Sequence, residues 1–192
     1  MREKKPVRYE VIMAGTGGKG VLTAGKFLLE AGALVYEHVL YFPSYSTEMR
    51  GAASECSLIL SDNPIGSPVL PKVDAIIIMD QSQLEAFESR LRPGGLMVLE
   101  TSGQKSKVKR KDIRVLEIPA MAIANALGDV RSANLVLLGV YVQATGVVPM
   151  EVIEDQVKKK FQKAGNGVIS MNIGAVRKGA EAATVWGAVT SR

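Results

Sequence analysis

The most constraining feature is a run of glycines set between two kinds of hydrophobic pattern. Tyr9–Ala14 is a short apolar run that leads straight into Gly15-Thr16-Gly17-Gly18-Lys19-Gly20. After the glycines, Val21, Leu22, Gly25, Leu28, Leu29 and Gly32 recur at helical spacing. Strand, tight turn and amphipathic helix form the opening unit of an open α/β sheet. The turn uses glycine for its backbone freedom, and a helix start leaves N–H groups free to meet an anion. Gly32 suits the helix stop.

The rest of the chain extends this reading. Ala33–Val39 is predicted as a second strand, and Leu40–Gly51 as a long loop rich in contact groups: Tyr41, Phe42, Tyr45 and Arg50. Ala52–Leu60 is a third strand, closed by the turn Ser61-Asp62-Asn63-Pro64. No helix separates strands two and three, so one of them is expected to run antiparallel, at the sheet edge. Ala75–Met79 is a continuous apolar strand, as in a sheet covered on both faces. Asp80 or Ser82 caps a helix reaching Leu91, and Pro93-Gly94-Gly95 ends that unit. Leu96–Leu99 and Ile113–Ile118 are further strands, with the basic stretch Lys105–Lys111 between them. From Pro119 onward the pattern is helical: one helix ends near Asn125–Gly128, and others span Arg131–Ala144, Pro149–Lys163 and a short Asn172–Gly179. A strand is the competing reading for Leu135–Val142. The expected fold is α/β: a layered α/β/α domain with a mostly parallel sheet, a Rossmann-like glycine turn and a helical C-terminal extension. With 192 residues and roughly 150 residues per domain as the norm, a single domain over 1–192 is expected.

Composition removes several function classes. Hydrophobic residues are 47% and charged residues 22%, a globular balance. The single cysteine, Cys56, cannot form an internal disulfide, and one thiolate cannot hold an iron–sulfur cluster or a structural zinc site. Any redox centre associated with this chain therefore lies elsewhere. The longest apolar run, Leu135–Val142, falls far short of the roughly 20 residues of a membrane helix. No membrane partner is expected, and a cytoplasmic location fits the cysteine usage. The lone histidine, His38, has no Ser–His–Asp set to join. Lys105, Lys107, Lys109, Arg110 and Lys111 suit a solvated turn, an acidic partner or a phosphorylated ligand; with no interleaved aromatic residue, nucleic acid is not expected.

Gly15, Gly17 and Gly20 match the G-x-G-x-x-G dinucleotide fingerprint, and Glu37 lies about 20 residues beyond, where a ribose-binding acid would stand. Close helix packing, or binding of another phosphorylated group, explains the same glycines. It is not a P-loop, because Val21 and Leu22 stand where Lys and Ser/Thr are required.

An ordered series of motifs resembles the gamma subunit, or gamma domain, of the 2-oxoacid:ferredoxin oxidoreductases. Gly15-Thr16-Gly17-Gly18-Lys19-Gly20-Val21 is similar to the family's opening G-x-G-G-Q-G-V, with Lys19 in place of glutamine. Tyr45 through Gly51 resembles the tyrosine loop ending in Glu-x-Arg-Gly-Gly, with Glu48, Arg50 and Gly51 matching and Ala52 replacing the second glycine. Ile65-Gly66-Ser67-Pro68, Asp74, Ile118-Pro119-Ala120, Ala124, Leu127-Gly128, Arg131, Asn134, Leu138-Gly139, Pro149, Phe161 and Asn172 continue the series. The stretch from Ile118 to Asn134 is most similar to the 2-oxoglutarate enzymes.

The resemblance implies a complex that oxidatively decarboxylates a 2-oxoacid with coenzyme A, giving acyl-CoA, carbon dioxide and reduced ferredoxin. It implies thiamine diphosphate, Mg and iron–sulfur clusters in the complex, with no cofactor held by this chain alone and no catalytic or metal-binding residue in it. It implies alpha and beta subunits as partners, with room for a ferredoxin-like delta subunit and with ferredoxin itself reached through the complex. For this chain it points to Gly15, Thr16, Gly17, Gly18, Lys19, Gly20 and Arg50 as a coenzyme A phosphate or interface site. It points to Tyr41, Phe42, Tyr45 and Glu48 as interface residues. A stand-alone dinucleotide-binding oxidoreductase and a non-enzymatic scaffold protein remain the competing readings.

Overall fold

A computed structural model describes residues 7–45 and 53–189. Six strands form one sheet: β1 Arg8–Thr16, β2 His38–Tyr45, β3 Ala53–Ser61, β4 Val73–Ile78, β5 Leu91–Glu100 and β6 Arg114–Ile118. Their spatial order is β2-β3-β1-β4-β5-β6. β1, β4, β5 and β6 pair in parallel, whereas β3 is antiparallel to both β1 and β2. The reversed strand is therefore not at the edge as expected; β2 takes the edge, and β3 is inserted beside β1.

Period-two alternation splits the strands between two cores. Val11, Met13, Leu58, Leu60, Ile77 and Val98 point to one face; Ile12, Ala14, Ile59, Ile76, Met97 and Leu99 point to the other. The first face is covered by α1 Val21–Gly32, α3 Ala120–Ala126, α4 Ala133–Thr145, α5 Met150–Phe161 and α6 Asn166–Val189. The second has the short α2 Leu84–Glu88 with Ile65, Leu70 and Val108 from connecting segments. The result is a layered α/β/α arrangement with unequal outer layers and a helical C-terminal extension.

α4 is apolar on all sides because it is buried on all sides: every residue from Asn134 to Val142 is inside. That burial settles Leu135–Val142 as helix. Its closest neighbour is α6, and both crossing points are glycines. A Cβ on Gly139 would sit 2.1 Å from the Val176 carbonyl oxygen, and one on Gly179 would sit 2.0 Å from that of Val136.

Five expectations differ from the structure. The second strand begins at His38, because Ala33–Val35 turn back on the end of α1 through hydrogen bonds to Leu29, Ala31 and Gly32. The predicted loop from Leu40 onward is instead strand as far as Tyr45, with Tyr41 and Phe42 on opposite faces of the sheet. The helix predicted to reach Leu91 stops at Glu88; Leu84 and Phe87 are buried as expected, while Leu91 already belongs to β5. Pro93-Gly94-Gly95 does not end the unit. It is absorbed in a register shift opposite Val73–Ala75, with Gly94 at φ 75°. The final helix is far longer than Asn172–Gly179, running over Asn166–Val189.

Candidate functional site

The glycine turn stands at the carboxyl end of β1, where the chain first crosses to β2 and β3 on one side and later returns to β4 on the other. Open α/β sheets bind ligands at this switch of direction, outside the carboxyl ends of the strands. A cleft of about 370 Å³ opens there. Gly17, Gly18 and Lys19 form one wall; Met79 and Glu100, at the ends of β4 and β5, form the floor. Met121 and Asn134 with Leu137, from α3 and α4, close the far side. A smaller polar chamber of about 50 Å³ adjoins it, lined by Asp80, Gln81, Ser102 and Gln104. Lys19, Met79, Glu100 and Met121 border both spaces.

The turn is held from both ends. The Lys19 N–H donates to the Thr16 carbonyl at 3.2 Å, and the Thr16 hydroxyl donates to Asp80 at 2.9 Å. Gly18 and Gly20 both take left-handed backbone conformations, with φ 90° and 78°. The buried Asn134 amide donates to the Gly20 carbonyl at 3.1 Å, tying α4 to the turn. Gly20 is also the N-cap of α1, and no side chain caps that helix. Its first N–H groups lack intrahelical acceptors and point toward the turn, carrying the positive end of the helix dipole.

The charges around the cleft have different degrees of commitment. Glu100 is buried and fully engaged, accepting from the Ser102 N–H at 2.6 Å and the Met121 N–H at 3.0 Å. Burial opposes ionisation of Asp80, but hydrogen bonds from Ser82 and Thr16, with the Lys19 charge nearby, hold its carboxyl below the usual carboxylate range. Arg131 stands at the rim, gripped by Asp129 at 2.7 Å. Lys19 is the uncommitted cation: its ammonium contacts only the Met121 sulfur, at 3.6 Å, among the described residues. The Gln81 amide donates to the Glu100 carbonyl at 3.1 Å, leaving its buried oxygen without a partner. A free ammonium and a buried amide oxygen with no protein partner thus border this space, just ahead of the bare start of α1. No nucleophile–base pair lines it among the described residues.

Of the glycine-turn residues, Gly17, Gly18 and Lys19 line the cleft, while Gly15, Thr16 and Gly20 shape the turn behind it. Glu48 and Arg50 fall outside the described residues. Tyr41 packs inward on α1, its hydroxyl 3.4 Å from the Leu22 carbonyl, while Phe42 is 54% exposed on the opposite face and Tyr45 ends β2. Glu37 precedes β2, at the end of the sheet away from the glycine turn, so it cannot meet a ribose bound there. The insertion of β3 between β1 and β2 breaks the dinucleotide pattern in the same place. Cys56 is buried beside α1, and burial first, then the Glu55 charge, push its thiol up to about 12. The one cysteine does not fit an iron–sulfur cluster, and among the described residues no group of three His, Cys, Asp or Glu could hold a metal ion. No described helix is long and apolar enough to cross a membrane.

Fold and site together define an open-sheet α/β protein with a cleft at its glycine turn. Residues 10–182 match the family described as pyruvate ferredoxin/flavodoxin oxidoreductase. The ketoisovalerate oxidoreductase subunit VorA of Methanothermobacter marburgensis is 31% identical over 93% of this chain. The chain spans about a third of that relative's length, 37%. The 2-oxoglutarate synthase subunit KorC of the same organism is 32% identical over 91% of this chain and 96% of its own length. Among solved structures, the keto/oxoacid ferredoxin oxidoreductase gamma subunit of Geobacter sulfurreducens superposes with a TM-score of 0.78 at 28% identity, covering 92% of this chain and 99% of that one. The chain belongs to the pyruvate ferredoxin/flavodoxin oxidoreductase family, as a gamma-type member.

Proposed function

We propose that this chain is the gamma subunit of a complex that oxidatively decarboxylates a 2-oxoacid with coenzyme A, and that its cleft receives the coenzyme A diphosphate. The observation that carries the reading is the uncommitted Lys19 ammonium at a cleft walled by Gly17 and Gly18, just ahead of the bare start of α1. Phosphate oxygens would take the free N–H groups of the turn while Lys19 supplies the counter-charge. Arg131 lies at the rim for a second anionic group. Arg50 is a further candidate for a bidentate salt bridge to a phosphate or an acidic partner.

The chemistry at the 2-oxo carbon and the electron transfer would be supplied by cofactors on alpha and beta subunits: thiamine diphosphate with its Mg, and iron–sulfur clusters. A ferredoxin-like delta subunit would complete such an assembly, and ferredoxin would receive the electrons. This chain's contribution is to bind and orient the acyl acceptor. 2-Oxoglutarate is the preferred substrate candidate, supported by KorC relatives that match this chain over nearly their whole length. VorA relatives favour a branched-chain 2-oxoacid, so both acids belong in the assay.

The test is anaerobic native purification followed by acyl-CoA formation from 2-oxoglutarate, 2-oxoisovalerate and pyruvate. In the intact complex, Lys19→Ala should raise the KM for coenzyme A about tenfold, the value of one lost charge-assisted hydrogen bond. Arg50→Ala separates ligand binding from assembly: a raised coenzyme A KM in an intact complex supports the first, and loss of the complex the second. An unchanged coenzyme A KM in Lys19→Ala refutes the phosphate reading. Purification of this chain with no larger partner refutes the subunit reading.

A further inference from the structure

The crossover between parallel strands is normally a helix. Between β5 and β6 it is instead an irregular segment that packs Val108 on the thinly covered face of the sheet. Side-chain exposure alternates from Lys105 to Lys111. Lys105, Lys107, Lys109 and Lys111 are exposed, while Ser106, Val108 and Arg110 are half-buried, Val108 against the core. The four lysines thus share the outward side of the segment.

This ribbon is fixed in place. The buried Glu88 carboxylate accepts the N–H groups of Lys109 and Arg110, both at 2.8 Å. The Arg110 guanidinium turns inward to the Glu88 and Leu91 carbonyls at 3.1 and 2.5 Å, and it also pairs with Asp112. One arginine and one buried glutamate are thus spent on anchoring, and none of the four lysines has an acidic partner among the described residues. Four unpaired charges on a pinned backbone are a large share of the chain's net +5.

The chemistry selects among occupants. All four lysines are exposed and none lines the clefts described above, so they do not build a phosphate pocket. No aromatic residue lies among them to stack a base. The strongly exposed apolar residues, Leu34, Phe42, Val69 and Val185, belong to other segments, so nothing in the ribbon would anchor it in a lipid surface. Lysine is also depleted from the cores of permanent interfaces, whereas complementary charge governs fast, salt-sensitive encounters. We propose that the Lys105–Lys111 ribbon is a docking stripe for an acidic protein that visits the complex transiently. Resting on the reaction proposed above, that visitor is the soluble electron carrier that the complex must reduce.

The experiment uses the anaerobic holo-complex with Lys105→Glu, Lys107→Glu and Lys109→Glu combined, and a milder set with Gln at the same positions. Reduction of a purified acidic ferredoxin is compared with reduction of methyl viologen, which needs no protein docking. At low salt the charge reversal should raise the ferredoxin KM about tenfold and flatten its salt dependence. The Gln set should fall between, and viologen rates should stay at the wild-type value in both. A ferredoxin KM within twofold of wild type in both sets overturns the docking stripe while leaving the proposed reaction standing. Equal losses with ferredoxin and viologen also overturn it, by showing a structural role. A wild-type complex that reduces neither acceptor with any of the three 2-oxoacids overturns the reaction and, with it, the carrier as visitor.

Discussion

Gly20 is the residue at which the site and the fold depend on each other most directly. It holds φ at 78°, caps α1, and offers its carbonyl to the Asn134 amide. A Cβ there would lie 2.4 Å from the Asn134 amide nitrogen and 2.9 Å from its amide carbon. Gly20→Ala therefore carries two costs. A left-handed alanine costs about 1–2 kcal/mol. Pushing the buried Asn134 amide off the Gly20 carbonyl forfeits a hydrogen bond worth about 1 kcal/mol. The sum is about 2–3 kcal/mol, measurable as a shift of the urea midpoint at unchanged m-value. Asn134→Ala removes the obstructing amide, so Gly20→Ala made in that background should cost only the backbone share. The two substitutions should then couple by about 1 kcal/mol in a double-mutant cycle. Additive effects would show that the amide and the turn are not in steric register. A loss below about 0.5 kcal/mol for Gly20→Ala would refute the left-handed turn itself.

Two further perturbations test the scaffold. Gly139→Ala would raise helix propensity by about 1 kcal/mol if α4 stood alone, yet its methyl group would meet the Val176 carbonyl oxygen at 2.1 Å. The helices must part by about 1 Å, and the expected net loss is about 2 kcal/mol, or about 4–8 °C in Tm. A stabilised variant in a thermal melt would refute the close crossing. Glu154 on α5 grips Arg177 on α6 through two bonds of 2.7 Å, and that hydrogen-bonded guanidinium holds its carboxyl below the ordinary 4.5. A depressed carboxyl stabilises the fold fully above its unfolded value and loses that contribution as pH falls toward the native one. Urea midpoints from about pH 7 to about pH 3 should therefore fall less steeply in Glu154→Gln than in wild type, from a lower neutral value. Parallel curves would exclude the pair as an acid-sensitive contact.

The sequence disclosed elements whose signal is local. The first strand, the glycine turn and α1 were legible because glycine type and hydrophobic period act within a few residues. The α/β class and the helical second half followed from the same periodicities. Leu91 continues a helical stripe in sequence, which carries the helix expectation past Glu88, although its burial comes from pairing opposite Val73 in a strand. β2 is hidden for a related reason: aromatic, proline and serine residues in Leu40–Ser44 resemble a loop until β3 is present to pair with them. Glu37 looked like a ribose partner because sequence distance cannot reveal which end of a strand a residue occupies.

The candidate site divides in the same way. Chain order by itself determined that Gly15–Gly20 would form a turn before a helix, that Lys19 would place a cation in it, and that one cysteine could not carry a cluster. The identities of Met79, Gln81, Glu100, Met121 and Asn134 as its surroundings were not legible, although most follow a strand and so lie where an open sheet binds ligands. Only tertiary structure brought them together, since strand order and helix crossing arise from burial shared between residues distant in sequence. Asn134 shows why: its amide reaches Gly20 across more than a hundred residues, and that contact exists only when α4 is sealed between the sheet and α6.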